Sequence, residues 1–211
     1  MKNRVVVVDD HVSIRQMVGI VLAREGPFEM VAEAGNGFDA LKECRRLQPQ
    51  MVVLDLVLPE LNGLEVLRTL RGELRDTRFL VYSGTLNRHL IIEALHARPH
   101  GFVHKTDRLA VFCEALRAVA NGCSFLTPFA TKFLDDERHS SHSSARLTER
   151  ERAVLQMIAE GLSNKEMASR FSIAPKTVEH HRAQVMQKLG IHDVANLTRY
   201  AVRLGLVPAE I

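Results

Sequence analysis

Five short apolar runs, each followed by an amphipathic stretch, occupy the first 120 residues and leave few folds open to this chain. The runs fall at 5–8, 30–32, 51–54, 79–82 and 102–103, and several are β-branched on consecutive residues. Consecutive burial suits strands covered on both faces, as in a parallel sheet. Between them, 13–24, 39–47, 64–74, 90–97 and 109–120 carry apolar residues at helical spacing. Repeated strand–helix alternation implies right-handed crossovers. It predicts an α/β doubly wound domain with a five-stranded parallel sheet.

The pattern then changes. Residues 135–146, DDERHSSHSSAR, contain four serines, two histidines and no large apolar residue. That composition reads as a linker. Beyond it every periodic segment is helical. Thr148 and Glu151, then Ser163 and Glu166, have capping-box spacing. Pro175 suits a first helical turn, Gly190 suits a helix stop, and a last helix is predicted over 194–204. The expected organisation is an α/β domain over 1–122, a partly helical and then flexible linker over 123–146, and a small all-α domain over 147–211.

Bulk numbers exclude more than they identify. The net charge of +3 is too small to imply a nucleic-acid partner by itself, so any such argument must rest on where charges sit. Cys44, Cys113 and Cys123 are odd in number and lack metal-ligand spacing, which fits a reducing compartment. No apolar run nears the ~20 residues that span a bilayer. The expectation is a cytoplasmic protein with no membrane partner. Neither a GxxxxGK[ST] loop nor a GxGxxG fingerprint is present, so a nucleotide-binding enzyme is unsupported.

Ligands of open parallel sheets bind beyond the carboxyl ends of the strands. The first run ends in Asp9-Asp10, the third in Asp55, the fourth in Ser83 and the fifth in Lys105. One acid after a strand is ordinarily a turn or cap residue. Five reactive side chains at corresponding strand ends argue for a site. Clustered carboxylates call for a divalent cation, and an all-oxygen donor set favours magnesium. A carboxylate beside a metal can act as a nucleophile and form an aspartyl phosphate. A lysine and a hydroxyl can then hold the phosphoryl oxygens.

The strings VVVVDDH, DLVLPELNG, VYSGT and GFVHKT, in that order, resemble the flavodoxin-like receiver domain of bacterial two-component response regulators. The resemblance covers about residues 2–122. It implies that Asp55 is the phosphoacceptor and that Asp10 and Asp55, with Asp9 and the Val57 carbonyl, hold Mg2+. It also implies that Ser83 and Lys105 bind the phosphoryl group, and that Ser83 and Phe102 form the switch. Three positions depart from the family pattern: Leu58, Thr106 after Lys105, and Ala97-Arg98-Pro99-His100. The last lacks the glycine that would make a left-handed helix end easy.

LTERERAVLQMIAEGLSNKEMASRF and IAPKTVEHHRAQVMQKLGI, within about residues 146–207, resemble the LuxR-type helix-turn-helix. Together the two segments are similar to the NarL/FixJ class of regulators. On the helix after Pro175, Val178, Val185 and Leu189 share one face within ~20°. The opposite face carries Lys176, His180, Ala183 and Gln187, polar or small enough to enter a major groove about 12 Å wide. The resemblance points to Glu179, His180 and Ala183 as base readers. Lys165, Lys176, Thr177, His181, Arg182 and Lys188 are phosphate or packing candidates. It also points to Leu197, Thr198, Ala201 and Val202 for homodimerisation on double-stranded DNA.

The expected function is therefore a regulator phosphorylated by a sensor histidine kinase, not an enzyme. A phosphorylation-independent regulator, its receiver serving as a protein-interaction module, is the alternative. A haloacid-dehalogenase-type phosphatase needs a second acid two residues after its nucleophile, and Val57 stands there.

Overall fold

The computed structural model describes residues 2–137 and 147–208. The first part alternates β1 (Asn3–Val8), α1 (Val12–Arg24), β2 (Phe28–Ala34), α2 (Gly37–Leu47), β3 (Met51–Leu54), α3 (Gly63–Glu73), β4 (Arg78–Ser83), α4 (Arg88–His96), β5 (Gly101–His104) and α5 (Leu109–Ala120). All strand pairs are parallel, in the order β2-β1-β3-β4-β5. The doubly wound expectation holds, with core on both sheet faces. Val6, Val52 and Val81 face α2–α4, while Val5, Val53 and Tyr82 face α1 and α5.

The sheet has six strands where five were expected. β6 (Phe125–Leu126) pairs with β5 at its outer edge. Two residues show no usable periodicity, so this strand exists only through the partner it finds. α6 (Pro128–Glu137) follows and packs on α4 and β5, with Ala130 fully buried in the α/β core. The early part of the expected linker is thus an extension of the first domain. Most of the serine-rich stretch lies outside the described residues.

The second part comprises α7 (Glu149–Ala159), α8 (Asn164–Phe171), α9 (Pro175–Leu189) and α10 (Val194–Leu204). Both capping boxes form: Thr148 with Glu151, and Ser163 with Glu166. Gly190 and Gly205 end α9 and α10 in left-handed geometry, which costs glycine nothing. Val154, Met157, Met167, Val178, Val185 and Leu197 meet in a separate core.

The two domains touch. Phe171 packs edge-on against Phe38 of α2, with ring centroids 5.8 Å apart. Ala153 of α7 joins the core of the first domain. Asn87, the N-cap of α4, donates to the carbonyls of Val202 and Arg203 at the end of α10, at 3.2 and 3.1 Å.

Candidate functional site

Parallel register brings the strand ends to one edge. Val8 pairs with Leu54, Leu54 with Val81, and Ser83 with His104. The next residue on β1, β3 and β5 is Asp9, Asp55 and Lys105 respectively. The Ser83 hydroxyl donates to Asp55 Oδ1 at 2.5 Å. Lys105 Nζ lies 2.5 Å from Asp55 Oδ2 and 2.7 Å from Asp9 Oδ2. The Val57 N–H donates to Asp55 Oδ1 at 3.2 Å. Both carboxylates are almost fully buried, at 4% and 2% exposure. Burial pushes the Asp9 pKa up, and Lys105 only partly opposes that. Burial pushes Lys105 down, but Asp55 and Asp9 outweigh it and hold the ammonium above its ordinary pKa.

Asp10 points to solvent beside His11, whose Nδ1 lies 2.7 Å from Asp10 Oδ1. The His11 N–H donates to Asp9 Oδ1, and Arg15 donates to the Asp9 carbonyl at 2.8 Å, fixing the turn. Ligand atoms of Asp9, Asp10 and His11 lie within 4.8 Å of one another. Desolvated acids held partly by one lysine, with mainly oxygen donors, fit a hard divalent cation. Phe102 is fully buried between β5 and the layer formed by α4 and α6. Arg98 takes a left-handed φ of 53° at the end of α4, although no glycine is there.

One part of the surroundings had no signal in the strand ends. Arg152 and Gln156 on α7 and Glu160 at its C-cap, each four residues from the next, form a polar stripe turned toward the first domain. Gln156 is fully buried, and its amide donates to the Leu58 carbonyl at 2.8 Å while its oxygen accepts from the Asn62 N–H at 2.8 Å. Arg152 pairs with Glu65 at 3.1 Å. The i, i+4, i+8 spacing was visible, but such a stripe ordinarily faces water.

On α9, Lys176, Thr177, Glu179, His180 and Ala183 are exposed, as is Lys165 on α8. His181 and Arg182 are half-buried, on the flank nearer the core. Lys188 is engaged with Glu151 at 2.7 Å, which also satisfies the capping box. Leu197 and Ala201 require correction. Both are fully buried within their own domain, because α10 packs on α7, and neither is available to a second copy in this arrangement. Thr198 and Val202 remain partly exposed.

The comparisons agree with this geometry. Residues 5–117 match the model of the response regulator receiver domain, and residues 145–201 match that of bacterial regulatory proteins of the luxR family. The chain belongs to the DNA-binding response regulators. BvgA of Bordetella pertussis, named for positive transcription regulation of virulence factors, is 34% identical over 98% of this chain and 100% of its own. The transcriptional regulatory protein LiaR of Bacillus subtilis is 30% identical over 97% and 99%. A crystal structure of a LuxR-family response regulator from Aurantimonas sp. SI85-9A1 superposes with TM-score 0.61 at 27% identity, covering 66% of this chain and all of that one. RcsB of Salmonella enterica serovar Typhimurium, solved bound to a promoter, shares the fold at TM-score 0.60 and 21% identity, over 96% and 100%. The first domain is a receiver and the second a LuxR-type helix-turn-helix, so the protein is a transcriptional response regulator. Among the described residues no helix is long and apolar enough to cross a membrane.

Proposed function

We propose that a sensor histidine kinase phosphorylates Asp55 and that the phosphorylated chain binds double-stranded DNA as a homodimer. The observation that carries this reading is the Asp55 carboxylate, with Ser83 on one oxygen and Lys105 on the other. A carboxylate oxygen attacks the phosphorus of a phosphohistidine. The P–N bond breaks, its electron pair returns to the imidazole, which takes up a proton, and Asp55 becomes an acyl phosphate. Ser83 and Lys105, each on one Asp55 oxygen, would contact the phosphoryl oxygens. Asp9, Asp10, Asp55 and the Val57 carbonyl are the groups that would hold magnesium. When bound, that ion supplies positive charge against the entering phosphoryl group.

We read the phosphoryl group as a signal, because the receiver that carries Asp55 shares its chain with a LuxR-type helix-turn-helix. Phe102, buried in the core that α4 and α6 share with the sheet, would transmit it. On DNA, Glu179, His180 and Ala183 would meet base edges, and Lys165, Lys176, Thr177, His181, Arg182 and Lys188 phosphates or their own domain. Lys188 would have to leave Glu151 to do so. Thr198 and Val202 would contribute to the dimer. Cys44 and Cys113 are buried free thiols, which supports a cytoplasmic setting. Labelling with acetyl phosphate and magnesium tests the acceptor: Asp55→Asn should abolish it, and labelling at the wild-type level would sink the assignment.

A further inference from the structure

Lys105 stands in a turn that His104 closes. The Lys105 N–H donates to the Ser83 carbonyl at 2.9 Å, which holds it to the sheet. Beyond Lys105 the chain folds back. The Asp107 N–H donates to the His104 carbonyl at 2.9 Å, and the His104 N–H donates to Asp107 Oδ2 at 3.0 Å. The Thr106 N–H donates to His104 Nδ1 at 3.3 Å, and the Thr106 hydroxyl lies 2.7 Å from the same nitrogen. Thr106 is one of the positions that departs from the family pattern.

An amide N–H can only donate, so Nδ1 is the bare nitrogen of this ring and the proton sits on Nε2. The Thr106 hydroxyl then donates to Nδ1 as well. The imidazole is buried against Phe129 of α6, ring centroids 4.4 Å apart, and that contact fixes the ring while Nδ1 holds Thr106. Nε2 is buried too, and it has no hydrogen-bond partner among the described residues. A buried N–H without a partner costs stability, which an apolar side chain of similar size would avoid. The imidazole is thus unfavourable to the core, and its ring hydrogen bonds all go to Thr106.

We infer that His104 is a positioning residue for Lys105, acting through Thr106 on the turn that carries it. The inference rests on reading Asp55 as the acceptor and Lys105 as its phosphoryl partner.

Lysine needs such help. Its ammonium rides on a flexible four-carbon stem, so it meets a fixed target only when its backbone is held. Here Nζ reaches Asp55 at 2.5 Å and Asp9 at 2.7 Å. Ser83 holds the backbone on one side of Lys105, and the bonds of Thr106 and Asp107 to His104 hold it on the other. Without the Nδ1 acceptor the turn loosens, and the ammonium sits between the acids for less of the time. Two effects follow. The entering phosphoryl group loses a preset counter-charge, so transfer slows. Asp9 and Asp55 lose part of their neutralisation, so their attraction for a divalent cation does not fall.

The test uses the full chain, acetyl phosphate as donor (its P–O bond breaks and acetate leaves) and a magnesium titration. His104→Leu keeps the bulk but removes both the acceptor and the orphaned N–H. It should label about 10-fold more slowly at saturating magnesium, within the ~100-fold that a small misplacement can cost. Its half-maximal rate should come at the same or lower magnesium, and it should resist urea at least as well as wild type. His104→Asn can set Oδ1 near the place of Nδ1 and should recover most of the rate. Thr106→Val keeps the shape, loses the hydroxyl and should fall between. Nitrogen NMR of isotope-labelled histidine gives a readout free of labelling: His104 should show a bare Nδ1 and a protonated Nε2. A wild-type rate in His104→Leu overturns the inference. So does equal slowing in His104→Leu and His104→Asn, a proton on Nδ1, or a rate that falls only in step with lost stability. Asp55→Asn run alongside separates the two failures: if it labels, the acceptor assignment is at fault; if it does not and His104→Leu behaves as wild type, only the positioning role is.

Discussion

Lys105 bridges Asp55 and Asp9, its ammonium 2.5 Å from one carboxylate and 2.7 Å from the other. It is the main counter-charge of the two buried acids. Removing one partner of a buried ion pair costs about 3–5 kcal/mol, because the remaining charge is left desolvated. Lys105→Ala should lose stability of that order in urea unfolding without magnesium, and magnesium should restore most of it. A loss below about 1 kcal/mol would show that the acids do not depend on the lysine.

Glu65 makes folding pH-dependent. Burial pushes its pKa up to about 7 from an ordinary 4.5, against the pull of Arg152 and Arg68. The raised folded value means that the fold favours the protonated acid. Its contribution is complete below pH 4.5, fades as pH rises to 7, and is absent above. Integrated over that window it amounts to about 3 kcal/mol. Glu65→Gln stays neutral throughout, so its unfolding free energy should fall less between pH 4.5 and 7 than that of wild type. Parallel pH profiles for the two proteins would contradict this.

Gly63 leaves no room for a side chain. A Cβ there would lie 1.8 Å from the Asp55 carbonyl oxygen and 2.9 Å from Leu56 Cα, both backbone. Gly63→Ala must displace the acceptor strand end, and should cost more than about 3 kcal/mol and abolish labelling. Gly72 is the control, since nothing lies within 4 Å of its added Cβ. Gly72→Ala, inside α3, should stabilise by about 0.5–1 kcal/mol. Equal effects at the two positions would mean that the close approach at Gly63 is not real.

Two kinds of DNA contact should separate in binding titrations. Lys176→Ala should weaken all sequences alike and reduce the salt slope by about 1. Glu179→Ala should change which base is preferred at one position, with discrimination of about 1–3 kcal/mol. Loss of sequence preference on changing Lys176, with none on changing Glu179, would reverse the roles assigned to the two residues.

Much of this was legible because it is local. Strand ends are set by short-range hydrophobic runs, and parallel register then forces Asp9, Asp55, Ser83 and Lys105 together. The capping boxes at Thr148 and Ser163 depend on residues three apart. β6 was not legible, since two residues carry no period and pair only because β5 offers a free edge. Leu197 and Ala201 were misassigned for a related reason. An apolar helix face looks the same whether it meets a second copy or α7 of its own chain.

Sequence by itself determined the two domains, the acidic edge around Asp55 and the polar outer face of α9, because each follows from periodicity and spacing within an element. Only tertiary structure decided that Gln156 is buried on the Asp55 loop and that α6 covers Phe102. Both place groups from distant segments in one dry contact. Whether a polar stripe such as Arg152, Gln156 and Glu160 meets water or another domain depends on which surface docks against it, and no local pattern encodes that.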